Sequence, residues 1–227
     1  MSADGPLTRI GMAPRAEGLS IEAAQAHWRV DHRDVAVGLP GIRGYVQNHV
    51  VLRDGRPLLP YAGFDVCAET EWDGLAEMRA AFASPHYQGT VRDDERKLID
   101  GARFSLALTR RRVLAAGAPD GDAVKLLTVL RAHPTASAEA LVDPLAGPNA
   151  AAVHAGAAPL RHELLVVDRD AHDGDRAPCC DVVDITWFRD PDAALAALTG
   201  PLSEAGWLLG GLTFGAERVL ARPLRMV

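Results

Sequence analysis

Between Leu19 and Asn48 the chain reads LSIEAAQAHWRVDHRDVAVGLPGIRGYVQN, and this run holds the residues best suited to chemistry. Ile21, Ala24, Trp28 and Val35 recur at helical spacing, and His32 falls on the same apolar stripe, four residues after Trp28. Burial in apolar surroundings disfavours the charged form of an imidazole. That leaves a neutral base near pH 7, able to take a proton from a carbon next to a carbonyl. Tyr45, at the start of the next strand, is placed to bind or protonate a developing enolate oxygen. His86 and Tyr87 follow Ser84-Pro85 in a loop that closes one end of a pocket on this reading. Each residue also has a structural alternative. His32 can be a core histidine bonded to a backbone carbonyl, Trp28 simple packing, His27 a solvent-edge partner of Asp31, and Tyr45 an ordinary strand residue. The run Asp93, Asp94, Glu95 reads as a charged helix start. His49, His133, His154 and His162 show no partner pattern.

The elements that must position these groups follow from periodicity and capping. Leu7 to Ala13 reads as a strand, and Ser20 caps a helix that runs to Val37 and stops at Leu39-Pro40-Gly41. Gly44 to Arg53 is a strand, Asp54-Gly55-Arg56-Pro57 a turn, and Ala62 to Glu69 a strand alternating Phe64, Val66 and Ala68. Asp73 is placed to cap a helix with Leu75, Met78 and Phe82 on one face, ended by Ser84-Pro85. An acidic helical piece from Val91 to Ile99 and a strand from Arg103 to Thr109 complete a β-α-β-β-α-β unit, the ferredoxin-like motif. Leu114 to Asp122 reads as a linker, and the pattern then begins again. Strands are expected at Val124 to His133, Arg161 to Asp168, Asp181 to Phe188 and Glu217 to Arg222, with helices from Ser137 and over Ala193 to Leu198. Ser20 to Ser137 and Phe64 to Asp181 are both 117 positions, which implies two tandem copies of one fold. The expected domains are residues 1–113, a linker over 114–122, and a degenerate second copy over 123–227. In that copy Pro144-Leu145 and Asn149 replace His27-Trp28 and His32, in a stretch ill suited to a long helix.

The ordered pieces His27-Trp28-Arg29 with His32, Leu39-Pro40-Gly41 with Tyr45 to Asn48, Ala81 to Tyr87, and Asp93 to Asp100 together resemble the EthD-like branch of the dimeric α+β barrel superfamily. The resemblance covers about the first half of the chain. It implies an α+β fold in which two ferredoxin-like units pair face to face, here within one polypeptide, so that a monomer or a homodimer is expected. It also implies a cavity between the helices and the concave face of the sheet. There His32, Tyr45 and His86 would be catalytic, and His27, Trp28, Phe64, Phe82 and Tyr87 would contact a hydrophobic small molecule. Relatives of this kind include cofactor-free dehydratases, cyclases and isomerases acting on aromatic, polyketide-like or lactone substrates, and others have only accessory roles. The expected activity is therefore a lyase or isomerase needing no cofactor. A non-catalytic carrier is the alternative, and haem stays open because some members of the wider superfamily bind or degrade it.

Composition narrows the remaining classes. At 227 residues, 48% hydrophobic and 24% charged, the chain has the balance of a compact protein without disorder bias. No apolar run spans a bilayer and no signal-peptide pattern opens the chain, so a cytoplasmic protein without membrane partners is expected. A net charge of −6 argues against a nucleic-acid partner. On that view Arg110-Arg111-Arg112 is a solvated strand end. Cys67, Cys179 and Cys180 form no zinc spacing and are expected to be reduced thiols. His27 and His32, five apart, turn away from each other on an α-helix and offer no metal pair. His172-Asp173-Asp175, within an insertion over 169–179, reads as an acidic loop rather than a metal site. No phosphate-binding glycine loop and no nucleophile elbow occur.

Overall fold

Four long strands lie in the N-terminal half: Leu7–Ala13 (β1), Gly44–Val50 (β2), Val66–Trp72 (β5) and Ser105–Ala115 (β6). Leu52–Arg53 (β3) and Arg56–Pro57 (β4) form a short hairpin whose turn residues, Asp54 and Gly55, both have positive φ, as a two-residue loop requires. The expected strand from Gly44 to Arg53 is thus split at Val51, where the chain leaves the main sheet. Helices Ile21–His27 (α1), Arg33–Ala36 (α2), Leu75–Ala83 (α3) and Arg92–Leu98 (α4) cover the outside. The C-terminal half supplies strands Val124–Ala132 (β7), Arg161–Val167 (β8), Val182–Phe188 (β9) and Thr213–Arg225 (β10), with helices Ala138–Pro144 (α5), Ala150–Ala157 (α6) and Pro191–Thr199 (α7). The computed structural model describes residues 5–172, 177–200, 202 and 209–227.

The eight long strands close into an antiparallel barrel in the order β1-β5-β2-β10-β7-β9-β8-β6. Two seams join the halves. At one, Val46 to Val50 of β2 pair with Arg225 to Ala221 of β10; at the other, Thr109 to Ala115 of β6 pair with Val167 to His162 of β8. Closure leaves the main sheet without free edges. The fold is therefore α+β with a closed eight-stranded barrel.

Several local expectations change. Ser20 caps α1, with its hydroxyl accepting from the Ala23 amide at 3.1 Å, but Gly74 rather than Asp73 stands at the N-cap of α3, and Asp73 pairs with Arg43 outside. His86 and Tyr87 are not in a loop, because a new helical turn, Tyr87–Val91, starts almost at once and runs into α4. The stretch with Pro144 and Pro148 is helical throughout. Pro148 lies in a π-turn, Leu145–Asn149, where the i→i+4 ladder is already broken, so its missing N–H costs little there. The linker shortens because β6 reaches Ala115. Of the 169–179 insertion, Arg169–Ala171 is a short turn capped by Asp168, and the His172 Nε2 accepts from the Leu108 amide at 2.8 Å; Asp173 and Asp175 lie outside the described residues. Among the described residues no cluster of metal-ligating side chains occurs, and no helix is long and apolar enough to cross a membrane.

Alternation along each strand sends one set of side chains into the barrel and the other toward the helices. One end of the lumen is apolar and includes Ile10, Met12, Cys67, Leu127, Leu165 and Ile185. The other end is charged. Glu69 accepts from Lys125 Nζ at 2.6 Å, from Asn48 at 2.9 Å and from Arg111 at 3.1 Å, and Arg111 also bonds Glu163 at 2.6 Å. The triple-arginine run is therefore no solvated strand end. Arg111 enters this network, and Arg110 is buried on the opposite face with Asp168 at 2.8 Å.

Burial alone would push the Glu69 carboxyl up, yet Lys125 and Arg111 hold it at about 2. A depressed folded-state value means that its stabilising contribution is complete above about 4.5 and fades as pH falls toward about 2. Replacing Glu69 by Gln leaves two cations in the lumen without their shared carboxylate. We expect a loss of about 3–5 kcal/mol in urea denaturation near neutral pH, shrinking as the wild type itself is acidified through that window. A loss below about 1 kcal/mol would mean that the lumen charges are solvated.

Candidate functional site

The helix that begins at Ser20 is not a single α-helix: Trp28–His32 forms a π-turn between α1 and α2. In an α-helix, residues five apart point about 140° away from each other, whereas the i→i+5 geometry brings them roughly one turn apart on one face. His27 and His32 consequently converge. The Asp94 carboxylate on α4 accepts from both rings, from His27 Nε2 at 2.9 Å and from His32 Nδ1 at 2.9 Å. Asp31 stays near His27, at 3.7 Å from Nδ1, as a weaker second partner. The expectation that the two histidines diverge is corrected by this turn; His27, 25% exposed, keeps its expected neighbour Asp31 and reaches Asp94 as well.

The hydrogen bond to Asp94 fixes the proton of His32 on Nδ1 and leaves the Nε2 lone pair as the basic atom. Nε2 has no hydrogen-bond partner among the described residues. Burial pulls the His32 pKa below its ordinary value, and Asp94 and Glu95 offset part of that fall. At neutral pH the ring is therefore a neutral base with an oriented lone pair.

A π-turn also frees a main-chain carbonyl, and here Gln47 Nε2 donates to the Trp28 oxygen at 2.7 Å. The same amide nitrogen reaches the Tyr45 hydroxyl at 3.1 Å, and Trp28 Nε1 donates to that hydroxyl at 3.0 Å. The Tyr45 oxygen thus accepts twice, and burial raises its pKa, so it stays a phenol with a proton to give. Gln47 Oε1 accepts from His49 Nε2 at 2.8 Å, and the His49 ring lies 4.6 Å from Trp28. Burial holds His49 near 4, so it is neutral, and its Nδ1 is buried without a partner among the described residues. His49 therefore has partners, contrary to the sequence reading. So does His162, whose Nδ1 meets His154 at 3.0 Å and whose Nε2 meets Asp184 at 3.0 Å.

Beside this cluster a cleft of about 1060 Å³ opens between β1, β6 and the helices α3 and α4. Phe82, Tyr87, Glu95, Arg9 and Phe104 line it. The Tyr87 hydroxyl donates to Glu95 at 3.0 Å, and burial together with the Glu95 charge pushes its pKa up to about 12. Glu95 connects the two regions, because it follows Asp94, lines the cleft, and acts electrostatically on His32 and Tyr45. Phe64 is elsewhere, on the lumen side of the sheet with Met12 and Cys67. His86 is committed to structure: its Nε2 donates to the Val35 carbonyl at 2.8 Å, and Gly38 leaves room for it, since a Cβ there would come within 3.0 Å of that nitrogen. Arg9, Gln47, Asp94 and Glu95 were missed as site residues. Gln47 lay within the Tyr45 to Asn48 piece of the resemblance, and Asp94 and Glu95 within an acidic run that read equally well as a helix start.

Residues 16–102 match the EthD domain family. This segment is an EthD domain. Along its full length the chain also shares its fold with solved structures. An anthrone oxidase-like protein aligns over 100% of this chain and 96% of its own at 15% identity, with a TM-score of 0.67. A chlorite dismutase from Candidatus Nitrospira defluvii aligns over 99% and 93% at 8% identity, with a TM-score of 0.57. At these identities the likeness is one of fold. No curated protein sequence matches the chain. The described wall of this cleft carries no imidazole and no thiolate; its side chains of haem-ligating type are Met78 and the Tyr87 phenol, which Glu95 holds.

Asp94→Asn removes the anion that supports the protonated form of His32, so the His32 pKa should fall further below its wild-type value in an imidazole NMR titration. No change, or a rise, would show that Asp94 does not govern that ring. Tyr45→Phe leaves the Trp28 and Gln47 donors without a shared acceptor and should cost about 1–3 kcal/mol in chemical denaturation.

Proposed function

We propose that the EthD domain catalyses cofactor-free proton transfer on a hydrophobic aromatic or polyketide-like molecule, as a lyase or isomerase. His32 is the general base, and Asp94 and His27 orient it. The observation that carries this is the single Asp94 carboxylate bonded to both rings, which leaves His32 Nε2 uncommitted in a neutral, buried imidazole. Tyr45 supplies a phenol proton to a developing enolate oxygen, with Trp28 and Gln47 donating to its own oxygen. Tyr87 and Phe82 hold the ligand in the cleft, and His86 acts at one remove by tying its helix to α2. Removing a proton from an activated carbon is the first step of dehydration and of isomerisation. It is also the first step when an aromatic carbanion reacts directly with O2, a branch that the anthrone oxidase-like neighbour brings into view.

We further read the chain as two tandem ferredoxin-like units, residues 1–113 and 123–227, paired within one polypeptide. Elements of the halves support this at one offset: α1 and α5 begin at 21 and 138, the π-turns at 28 and 145, and β2 and β8 at 44 and 161, each 117 apart. In the second unit Asn149 stands where His32 would be, so the chemistry is confined to the first.

A second reading, a binding protein without turnover, is favoured by one observation. His32 is only 8% exposed and is not part of the cleft wall. Anthrone as a probe separates the two. In D2O without oxygen, the wild type should speed deuterium exchange at the acidic methylene, and His32→Ala should bind anthrone equally well but lose the acceleration by about a hundredfold or more. Admitting O2 then shows whether the carbanion is oxidised to the quinone. Equal binding with no acceleration by either protein would establish the carrier.

A further inference from the structure

We propose that Glu95, with Tyr87 bonded to one of its oxygens, is the specificity-determining acceptor of the cleft and receives a hydroxyl donor on the edge of a planar aromatic ligand. The inference deepens the reading of the cleft as the ligand site, on which it rests, and selects hydroxylated aromatics over their ethers.

Glu95 lies half-buried on α4, in a wall whose aromatic side chains are Phe82, Tyr87 and Phe104. Phe82 and Tyr87 meet edge to face with ring centres 4.6 Å apart, and Phe82 also packs on Trp72 at 5.7 Å. Rings held in this way offer a flank to a flat ligand. The Tyr87 hydroxyl donates to Glu95 Oε2 at 3.0 Å, which orients the carboxylate, and no other side-chain hydrogen bond or ion pair to Glu95 occurs among the described residues. A carboxylate has about four lone-pair sites, so Oε1 keeps its capacity to accept. Arg92 and Arg96 of the same wall are engaged elsewhere: Arg92 donates to Gln88 at 2.9 Å, and Arg96 pairs with Asp93.

Desolvation sets the selectivity. A flat ligand that fills the cleft strips water from Glu95. A hydroxyl at its edge replaces that water with a charge-assisted O–H···O⁻ bond, whereas a methoxy group presents only an acceptor and leaves the carboxylate unpaired. A site whose polar group is left unpaired in this way rejects a ligand lacking the donor far more strongly than it rejects a change in apolar size. Position gives the hydroxyl a further role. Glu95 follows Asp94, which bonds His32, and its charge acts on both His32 and Tyr45, so a ring edge bound at Oε1 lies on the side of the cleft next to those two groups.

The test is fluorescence titration of the full chain with a naphthol and with its methyl ether near neutral pH, where the naphthol keeps its proton. The wild type should bind the naphthol about tenfold or more tightly than the ether. Glu95→Leu should abolish that preference and hold or tighten the ether affinity, while Glu17→Gln, exposed on the same wall, should retain it. Equal affinities in the wild type, no binding of either probe, or a preference that survives Glu95→Leu would overturn the proposal. Should circular dichroism show Glu95→Leu unfolded, Glu95→Gln decides: it keeps an acceptor but loses the charge, so the preference should fall by about threefold or more, and an undiminished one overturns the assignment. Turnover is read separately. Hydroxyl-selective binding without deuterium exchange on anthrone removes the catalytic reading and leaves this one, whereas exchange on anthrone without hydroxyl selectivity does the reverse.

Discussion

A closed barrel of eight strands has an interior just wide enough for side chains, and how that lumen is filled governs the rest of this molecule. Glu69 on β5, Arg111 on β6, Lys125 on β7 and Glu163 on β8 meet inside it, so groups from both halves of the chain satisfy one another. Buried charges hold together only when each has a partner, and here the Lys125–Glu69 and Arg111–Glu163 pairs cross between the halves, while Arg111–Glu69, Arg111–Glu71 and Arg161–Glu163 lie within one. The network and the two seams therefore act together: the seams set the register that brings the charges into contact, and the charges penalise any opening of the seams. Filled this way, the lumen leaves a cavity of about 170 Å³ at its apolar end, against about 1060 Å³ in the outer cleft. Chemistry is displaced to the outer face, between sheet and helices, where the cleft lies.

On that outer face the decisive feature is one π-turn. It rotates His32 toward Asp94, brings His27 onto the same carboxylate, and releases the Trp28 carbonyl to Gln47. Gln47 in turn links Tyr45 and His49, so a single irregularity in the helix ladder organises two polar clusters, one around Asp94 and one around the Tyr45 hydroxyl. Irregular turns of this kind are less stable than the regular helix and persist where surrounding contacts over-determine them. Trp28, 1% exposed, stacked near His49 and bonded to Tyr45, supplies such contacts.

The elements were readable from the sequence and much of the site was not, for a physical reason in each case. Strand alternation and the Ser20 and Ser137 caps depend on neighbours within a few residues, and they located β1, β2, β8, α1 and α5 closely. The lumen charges were illegible because alternation of Glu69 and Glu71 with apolar residues looks the same whether the polar face meets water or a closed interior. The π-turn has no side-chain signature, and Asp94 lies 62 positions from His32, so their meeting depends on tertiary packing that local spacing does not encode. Phe64 was assigned to the cavity through the resemblance, but β5 begins only at Val66, and Phe64, in the segment before it, packs with the lumen cluster.

The contrast between the halves comes down to hydrogen-bond accounting on two buried imidazoles. In the C-terminal half His162 is fully buried and both of its nitrogens are engaged, one with His154 and one with Asp184. Asp184 also accepts from Thr186 at 3.2 Å, which further pins the group. A ring with both nitrogens satisfied gains stability and specificity but has no lone pair to offer a ligand. In the N-terminal half His32 uses Nδ1 to fix its tautomer and keeps Nε2 uncommitted, in surroundings that hold it neutral. The Asp94 carboxylate on Nδ1 makes Nε2 the more basic, offsetting part of what burial takes away. A strand of one half thus carries a structural histidine and a helical turn of the other a basic one, and the difference lies in the second nitrogen rather than in the depth of burial.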